Sequence, residues 1–596
     1  MALANTIKDN VGMALSSYDV RKTVAIIFFA LFLTSNVMAN NKNKVALVMK
    51  ALSNPFFIKM EEGAKQYAEK NDIPFEIFGV ERETEVKRQI GIVENLISRK
   101  YAAIVIAPTD SIKLIPVCKK AMDQGIVVIN IDNPLHEPTL KKLNIEIPFV
   151  GSDNYQGASL VGEYLKRKLG SKGNVLVIEG IRGVENAELR KKGFIDTITK
   201  NSDIKIVASE SANWHTDEAL SLVTRLIQKH SRIKAIFCAN DSMAIGAIQS
   251  LEMFGLTGQV LIGAYDNIEE ARSEMRNKRM HATVEQHPEL MGEYGVMLAA
   301  NALNNKKIPQ MTQIPLNLIT YDCFDKTVSL SLADGTPFFK TLLDGASHAA
   351  GLFGLQLQTA IANNDDARQL VDIQSFIEQK SHMIIINPTH AESLSPAIEL
   401  AHAEGIPVMT VDRKSALPEK VVSHIESNNV DGGRMAAEYI AKQLNNKGNI
   451  LEFEGAPGTS AAHDRGKGFN DAIKQFKGLR VVSREVAYFN RNKARDAMTL
   501  ALKKGIAIDA IFAHNDEMII GAIAAIQAAK QPLPLVTVGF DAIPEAIDYI
   551  NNNMLSASIA QNPYKMGFLS IKNTARYLRG YDIEPLVLVD LLVIDK

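Results

Sequence analysis

Two stretches of the chain, residues 236–243 (IFCANDSM) and residues 511–518 (IFAHNDEM), are versions of one pattern. Each is a short apolar run that ends in Asn-Asp and is followed by a helix-favouring segment. The polar pair is therefore predicted to lie where a buried strand ends and a helix begins. Ligands of open α/β sheets bind just outside the carboxyl ends of the parallel strands, so both stretches mark a candidate binding edge.

Four further apolar runs also end in an aspartate. They end at Asp132, Asp266, Asp412 and Asp541. One constant spacing along the chain separates the members of three matched pairs: Asn240 and Asn515, Asp266 and Asp541, and Gln286 and Gln561. The sequence thus predicts a duplicated cleft that is lined by polar side chains.

Length and composition set the class of protein. A chain of 596 residues is too long for one hydrophobic core and predicts several compact units. Its 46% hydrophobic and 22% charged residues are ordinary for a globular protein. The net charge of -1 provides no electrostatic attraction to phosphate, so nucleic acid is not expected as a partner.

Strand and helix patterns alternate from residue 44 onward, which predicts an α/β fold with parallel sheets and right-handed crossovers. The first lobe is predicted to contain strands at 45–49, 75–78, 103–106 and 127–131 and helices at 57–70 and 83–98. A second lobe is predicted to begin at Phe149–Asp153, with strands at 175–178, 206–209, 235–238 and 260–263. One terminal strand is predicted at 314–320, and the pattern restarts at 327.

The N-terminal segment has the features of a secretory signal peptide. Arg21 and Lys22 precede an apolar run at 24–33, and Val37-Met38-Ala39 matches the small-residue cleavage pattern. Cleavage after Ala39 would deliver the protein to the periplasm. No cysteine follows that position, so a lipid anchor is not expected. Of the three cysteines, Cys118 and Cys238 are predicted to be buried free thiols.

Each half of the chain resembles the ribose-binding-protein type of periplasmic sugar-binding protein, the cluster B or type I class of solute receptors. The second half carries the motifs in order: Thr336-Pro337-Phe338-Phe339, Ile386-Asn387-Pro388-Thr389, Asp412-Arg413, Gly458 to Gly466, Phe489, Asn515-Asp516-Glu517-Met518, Gly539-Phe540-Asp541 and Ile559-Ala560-Gln561. The resemblance implies two tandem type I units, each with two parallel-sheet lobes, a hinge and a ligand cleft.

The signal-peptide features, the strand pattern and the resemblance together give the expected domain boundaries. They are a signal peptide at 1–39; a first unit at 40–322, with lobes at about 43–148 plus 287–313 and 149–286 plus 314–321; a linker at 323–326; and a second unit at 327–596, with lobes at about 327–423 plus 562–589 and 424–561 plus 590–596.

For the second unit, the resemblance implies aromatic side chains that sandwich a sugar ring and polar side chains that bond its hydroxyls. The aromatic residues are Phe338, Phe339 and Phe489. The polar residues are Asn387, Asp412, Arg413, Arg465, Asn515, Asp541 and Gln561, with Thr336 where the family has an asparagine.

The first unit carries the same pattern with departures. Its implied ligand-binding residues are Asn54, Phe56, Phe57, Asp132, Asn133, Arg190, Trp214, Asn240, Asp266 and Gln286. Ala107 stands where the family has an asparagine, Asn133 replaces an arginine, and Trp214 replaces a phenylalanine. We therefore expect the two clefts to prefer different sugars, because buried hydroxyl partners determine specificity.

Each residue type also has a purely structural interpretation. The Phe-Phe pairs could be core residues at a helix start, and Asp132 and Asp412 could form turns at strand ends. Arg190 and Arg465 could be solvated helix residues. Residues 455–460 lack the lysine of a phosphate-binding loop, and the scattered histidines do not indicate a metal site.

The resemblance implies a monomeric receptor without cofactor or metal, which closes on a monosaccharide and delivers it to the permease of an ABC-class importer in the inner membrane. The alternative is a sugar-sensing receptor that docks onto a membrane chemoreceptor or sensor kinase. A glycosidase would also line a cleft with carboxylates. Here neighbouring arginines are expected to keep the aspartates ionised, so no enzyme is predicted. A sugar-responsive repressor would need a helix-turn-helix where the signal peptide is predicted.

Overall fold

The computed structural model describes residues 44–596. The predicted signal peptide, residues 1–39, lies outside these described residues. The chain divides into two compact units, the first ending at Tyr321 and the second spanning Asp322–Lys596. The predicted linker at 323–326 therefore lies within the second unit.

The first unit alternates strands and helices. Its strands are β1 (Val45–Met49), β2 (Phe75–Gly79), β3 (Ala103–Ile106), β4 (Val127–Ile131), β5 (Phe149–Ser152), β6 (Lys172–Glu179), β7 (Asp203–Ser211), β8 (Ile233–Cys238), β9 (Leu261–Gly263), β10 (Ala282–Glu285), β11 (Met311–Ile314) and β12 (Asn317–Thr320). Its helices are α1 (Pro55–Lys70), α2 (Val86–Ser98), α3 (Ile115–Asp123), α4 (Glu137–Leu143), α5 (Asn154–Lys168), α6 (Glu185–Thr199), α7 (Thr216–Lys229), α8 (Asp241–Met253), α9 (Glu269–Arg276) and α10 (Pro288–Leu303).

The second unit repeats this order. Its strands are β13 (Thr327–Leu332), β14 (Gln356–Ile361), β15 (Met383–Ile386), β16 (Val408–Val411), β17 (Val421–Ser427), β18 (Lys447–Glu454), β19 (Gly478–Val486), β20 (Ala510–Ala513), β21 (Val536–Asp541), β22 (Ala557–Ala560), β23 (Leu586–Val589) and β24 (Leu592–Asp595). Its helices are α11 (Pro337–Phe353), α12 (Asp366–Glu378), α13 (Ser395–Ala403), α14 (Asn429–Gln443), α15 (Ser460–Ile473), α16 (Arg491–Lys503), α17 (Asp516–Ala528), α18 (Pro544–Asn551) and α19 (Pro563–Leu578). Short 3-10 helices span Tyr321–Cys323 and Pro418–Lys420.

Each unit contains two six-stranded sheets, one per lobe. The first unit has the strand orders β11-β5-β4-β3-β1-β2 and β12-β10-β9-β8-β6-β7. The second unit has the orders β14-β13-β15-β16-β17-β23 and β19-β18-β20-β21-β22-β24. Neighbouring strands run parallel except at β10/β12 and β22/β24, which are antiparallel. The predicted α/β class with two parallel-sheet lobes per unit is confirmed.

The sheets are buried because helices cover their faces. Strand β1 shows the consequence: all of its residues, VALVM, are fully buried, as expected for a parallel strand covered on both sides. Asn240 and Asn515 cap helices α8 and α17, with side-chain oxygens that accept from the backbone N–H of Met243 at 2.9 Å and of Met518 at 3.0 Å. The Asn-Asp pairs thus lie where a buried strand ends and a helix begins, as predicted.

Two lobe assignments and one strand assignment made from the sequence are wrong. Strand β5 pairs with β4, so residues 149–152 belong to the first sheet rather than to the second lobe. Strand β17 pairs with β16, which places residues 424–427 in the first lobe of the second unit. The single terminal strand expected at 314–320 is two strands, β11 and β12, in different sheets. Local hydrophobicity identifies a strand but not its partner.

Among residues 44–596, every helix is too short or too polar to cross a membrane.

Candidate functional site

The second unit contains a cavity of about 490 Å³ between its two lobes. All the residues implied for this cleft line the cavity except Asn387. They are Thr336, Phe338, Phe339, Asp412, Arg413, Arg465, Phe489, Asn515, Asp541 and Gln561. These side chains come from the carboxyl ends of strands in both sheets and from the helix starts that follow them.

Aromatic rings from both lobes line this cavity. Phe338 and Phe339 lie at the start of α11 and make an edge-to-face pair, with ring centroids 5.1 Å apart. Phe489, on the opposite lobe, has a positive φ of 57°. A Cβ at Gly455 would lie 2.1 Å from the Phe489 ring, so only glycine leaves room for this aromatic wall.

Arg465 is buried at the centre of the second lobe's wall. Its Nε donates to Asn429 Oδ1 at 2.9 Å, and its Nη1 donates to the carbonyl oxygen of His514 and lies 3.6 Å from Asp541 Oδ1. Its guanidinium also lies over the ring of Phe540, 3.8 Å from the centroid. These contacts fix Arg465 as a rigid donor that faces the cavity, and they exclude the solvated-helix interpretation.

Asp541 lies opposite Gln561, whose Nε2 donates to its Oδ1 at 2.7 Å. Burial raises the pKa of Asp541 to about 7, because the charge of Arg465 offsets only part of the desolvation. Burial likewise raises the pKa of Asp412, against the charges of Arg413 and Arg465. The neighbouring arginines, which were expected to keep these aspartates ionised, thus offset the desolvation of the two carboxyl groups only in part.

Asp412 and Arg413 form the polar part of the first lobe's wall. Arg413 Nε lies 3.8 Å from Asp412 Oδ2, and its guanidinium lies over the rings of Phe339 and Phe489. Asn387 is fully buried behind them, where its amide bonds Asp412 Oδ2 and the backbone of Ala333 and Val411, all at 3.1 Å. Asn387 thus orients Asp412 and does not line the cavity.

Sequence reasoning missed several further residues that line this cavity, most of them polar. They are Asp334, Asn364, Thr389, Asn490, Arg491, Asn492, Lys493 and Glu517, together with Ala456, Ala461 and Tyr488. They lie on the loops after β13, β14, β15, β18 and β19 and at the starts of α15, α16 and α17, many of them next to motif residues. The same rule that selected strand ends could have found them.

The corresponding cavity of the first unit measures only about 20 Å³, room for about one water molecule. The implied residues Asn54, Phe56, Phe57, Asp132, Arg190, Trp214, Asn240 and Asp266 line it. Three further residues, Lys50, Glu83 and Asn186, also line it and were missed. Lys50 immediately follows β1, so its place at a strand end was a usable signal.

Lys50 occupies much of this cleft. Its Nζ lies 3.1 Å from Glu83 Oε2 and 3.2 Å from Asp132 Oδ2, and the side chain is only 1% exposed. The ammonium also lies 5.5 Å from the ring centroid of Phe57. The pKa of Lys50 is raised, because its two carboxylate partners outweigh the desolvation that opposes its charge. The cleft therefore contains a buried ion triad at its centre.

The second lobe of the first unit otherwise matches its counterpart. Arg190 donates to Asn154 Oδ1 at 2.7 Å and to Ala239 O at 2.8 Å, and lies 3.3 Å from Asp266 Oδ1. Gln286 does not line the cavity but donates to Asp266 Oδ1 at 2.7 Å. Burial raises the pKa of Asp266 to about 7, against the charge of Arg190.

Trp214 and Asn186 provide polar atoms that the second cleft lacks. Within residues 44–596, neither Trp214 Nε1 nor Asn186 Oδ1 has a hydrogen-bond partner, and both residues are buried. The matching positions of the second unit are Phe489 and Ala461, which have no polar side-chain atoms. An unpaired buried donor and acceptor in one cavity favour a bound polar molecule.

Asn133 does not face the cavity. Its Nδ2 donates to Pro108 O at 3.1 Å and to Ser111 Oγ at 3.2 Å. The buried amide is thus engaged by the protein, because the shorter side chain does not reach where Arg413 reaches in the second unit.

Four cleft aspartates share an unusual backbone geometry. Asp132 and Asp412 have φ of 63° and 64°, and Asp266 and Asp541 have φ of 118° and 112°. Positive φ is uncommon for aspartate and persists where the surrounding structure enforces it, often at functional sites. The two units therefore hold their carboxylates in the same way.

Comparison with known proteins agrees with this duplicated architecture. The family described as periplasmic binding protein domain matches residues 45–307 and again 327–582. A D-ribose/D-allose-binding protein of Pseudomonas aeruginosa is 39% identical over 285 residues, 47% of this chain and 89% of that protein. A D-allose-binding periplasmic protein of Escherichia coli is 35% identical over 273 residues, 45% of this chain and 88% of that protein.

Among solved structures, a periplasmic solute-binding protein from Actinobacillus succinogenes with bound D-allose is 37% identical, with a TM-score of 0.46, covering 47% of this chain and 98% of that chain. Since the family matches each unit in turn and together the matches span most of the sequence, the chain belongs to the periplasmic binding protein domain family and contains two copies of it.

Proposed function

We propose that this protein is a periplasmic solute-binding protein in which each of the two units closes on a monosaccharide, and that it delivers its ligand to the permease of an ABC-class importer. The observation that carries the proposal is the second cleft. Aromatic rings from opposite lobes face a cavity of about 490 Å³, and buried carboxylate, guanidinium and amide groups line it.

This arrangement suits a sugar ring. A pyranose or furanose has apolar C–H faces that pack on aromatic rings, and a rim of hydroxyls that both donate and accept. Asp412, Asp541, Arg413 and Arg465 offer charge-assisted hydrogen bonds of about 1.5–3 kcal/mol each. Residues of both lobes contact one cavity, so ligand binding favours the closed form.

The relatives support the ligand class. Proteins named for D-ribose and D-allose binding are more than 30% identical to one unit over most of their own length. They are named as binding proteins, and we propose no catalysis for this chain. The predicted signal peptide, with cleavage after Ala39, supports a periplasmic location.

We propose that the first cleft, whose cavity of about 20 Å³ must widen to admit a ring, takes a different sugar from the second. The Lys50–Glu83–Asp132 triad replaces the open space and the planar guanidinium found in the second cleft. Trp214 Nε1 and Asn186 Oδ1 add a donor and an acceptor. Each hydroxyl that loses its partner costs about 1–3 kcal/mol, which is enough to separate two sugars by tenfold or more in affinity.

Calorimetric titration of the full chain with D-ribose and D-allose tests the proposal, with one cleft silenced at a time by Arg190→Ala or Arg465→Ala. Trp214 is the only tryptophan of the chain, so its fluorescence reports the first cleft alone. We expect the affinity ranking of the sugars to differ between the two single-cleft proteins. Identical rankings would contradict divergent specificity, and absence of binding to any monosaccharide would contradict the proposed function.

A second measurement addresses delivery. Sugar-loaded protein should stimulate ATP hydrolysis by its importer reconstituted in vesicles, and a matched preparation with both clefts silenced should not. Stimulation of a membrane sensor kinase instead of an importer would favour the alternative, a sugar-sensing receptor.

A further inference from the structure

Lys414, which lies in the loop after β16, connects the two lobes of the second unit. Its Nζ lies 2.8 Å from Glu426 Oε1 on β17 of its own lobe, and 3.1 Å from Asp464 Oδ2 on α15 of the opposite lobe. Its backbone N–H also donates to Ser460 Oγ on α15 at 2.9 Å. One side chain therefore bridges carboxylates from both lobes, directly beside Arg413 of the cleft wall.

Close packing at the same rim accompanies this bridge. Gly458, on the loop before α15, has a φ of 80°, and a Cβ there would lie 2.2 Å from Nε2 of His390 on the first lobe. The backbone of Gly458 on the second lobe thus packs against the imidazole ring of His390 on the first lobe, next to the Lys414 contacts. These interactions exist only when the lobes are closed together.

Glu426 positions the Lys414 ammonium for its contact with Asp464. Glu426 is 4% exposed, and its second oxygen lies 3.3 Å from Nε2 of His424. Lys414 and Glu426 belong to the same lobe, so their 2.8 Å contact does not depend on closure and can persist when the lobes separate. Asp464 then meets an ammonium that is already positioned.

The first unit has no matching charges. Pro134 stands at the position of Lys414 and Leu189 at that of Asp464. Its lobes meet through uncharged groups: the backbone N–H of Glu185 donates to Ser111 Oγ at 3.1 Å, and that of Asn186 donates to Asn133 Oδ1 at 3.3 Å. Both donors lie at the N-terminus of α6.

We infer that Lys414 is a positioning residue that holds the second cleft closed through the Glu426–Lys414–Asp464 ion bridge, whereas the first cleft closes through neutral hydrogen bonds. The inference rests on the proposed function, because closure controls ligand release only where a ligand binds. Lys414 is 44% exposed on its side chain, so salt screens the bridge. The second cleft should therefore lose closed-state stability in high salt, and the first should not.

The full chain carrying Arg190→Ala, which silences the first cleft, provides the test with D-ribose as the probe. In low salt, at about 0.01 M, Lys414→Met should weaken binding about fivefold, mainly through faster dissociation. At about 1 M, where the Debye length is about 3 Å, the parent and the variant should converge. Lys414→Arg should restore the parent behaviour in low salt.

Lys467→Met is the matched control. Lys467 pairs with Asp471 on the same helix at 2.8 Å, so this variant removes a Lys–Asp pair confined to one lobe and should leave the salt response unchanged. A double-mutant cycle of Lys414→Met with Asp464→Asn should show coupling. Equal affinity and equal salt dependence of Lys414→Met and parent would overturn the inference.

Lobe opening provides a readout that needs no sugar. Spin labels on cysteines introduced at Glu404 and Lys474, which are exposed on opposite lobes, report the distance between lobes, since the native Cys118, Cys238 and Cys323 are buried. Without ligand, Lys414→Met should shift the distance distribution toward the open form in low salt. An unchanged distribution contradicts the bridge, and failure of the parent to bind sugar contradicts the proposed function alone.

Discussion

In each of the two clefts a cation lies beside an equivalent aspartate and over an equivalent aromatic ring. The cation comes from a different place in the two units, after β16 in the second and after β1 in the first. In the second unit the cation is Arg413, 3.8 Å from Asp412 and 5.5 Å from the Phe339 ring centroid. In the first it is Lys50, 3.2 Å from Asp132 and 5.5 Å from the Phe57 ring centroid.

This difference shows that a duplicated scaffold can keep the position of a charge while changing its chemistry. The guanidinium of arginine is a planar fork that bonds two acceptors side by side, whereas the ammonium of lysine is a compact point charge. Two of the acceptors around Lys50 are already protein carboxylates. The first cleft therefore has less donor capacity left for a ligand at this position.

The largest expected effect comes from removing the central charge of the first cleft. Lys50→Met should lower the free energy of unfolding of the first unit by about 3–5 kcal/mol, because Glu83 and Asp132 stay buried without their cation. Trp214 fluorescence during denaturant unfolding measures this unit alone. Adding Glu83→Gln should recover part of the loss. Unchanged stability of Lys50→Met would show that the ion triad is not formed.

The next effect concerns the buried arginine that occupies equivalent positions in the two clefts, Arg190 in the first and Arg465 in the second. Arg465→Ala should weaken sugar binding in the second cleft by about 2–4 kcal/mol, since Asp541 and the ligand hydroxyls lose a buried donor. Calorimetric titration in the Arg190→Ala background checks it. Arg434→Ala, which removes an exposed arginine of α14 in the same lobe, is the matched control. If Arg465→Ala binds as tightly as its parent, the cleft is not the site.

A smaller effect should appear in the pH dependence of stability. The pKa of Asp541 in the folded protein is raised to about 7, so the folded state binds a proton that the unfolded state has already lost between about pH 4 and pH 7. Stability contributed by this group is present at low pH and is lost as pH rises through that window.

Asp541→Asn should therefore raise the stability of the ligand-free second unit by about 1–2 kcal/mol above pH 7 and flatten its dependence on pH, while weakening sugar binding. Asp266→Asn should do the same in the first unit. Calorimetric unfolding across this pH range measures both variants. A stabilisation that appears only below pH 4 would reverse the sign and contradict the assignment.

The smallest effect sharpens the comparison of the aromatic walls. Trp214→Phe should cost the first cleft about 0.5–1.5 kcal/mol of ligand affinity, because the indole N–H loses its bond to the ligand while the apolar wall remains. Titration of the Arg465→Ala protein measures it. Phe489→Trp is the reciprocal change in the second unit. No change in affinity for Trp214→Phe would mean that the indole nitrogen does not contact the ligand.

Much of the second cleft could be located from the amino-acid sequence alone. Its motif residues lie at strand ends and helix starts, and short-range patterns determine those places, as Asn515 shows by capping α17. Asn387 lay outside this rule. It also follows a strand, but its amide turns inward to Asp412 and the backbone, a choice that depends on the packing behind the strand.

The first cleft could be predicted less well. Asn133 and Lys50 both follow buried strands, and the resemblance pointed to Asn133. The fold instead uses Asn133 to bond Ser111 and to receive a bond from α6, while the longer Lys50 side chain reaches the cavity. The reach of the side chain and the hydrogen-bond partners around it decide which of the two lines the cavity.

By itself the sequence determined the class of fold, the duplication and the ends of the strands that carry polar residues, because hydrophobic periodicity and capping are local. Only the tertiary structure decided which sheet β5 joins, which cation occupies the first cleft, and that Asp266 and Asp541 have raised pKa values. The reason is physical: strand pairing, cavity volume and desolvation each depend on residues that are far apart in the sequence. No single stretch of the chain determines any of them.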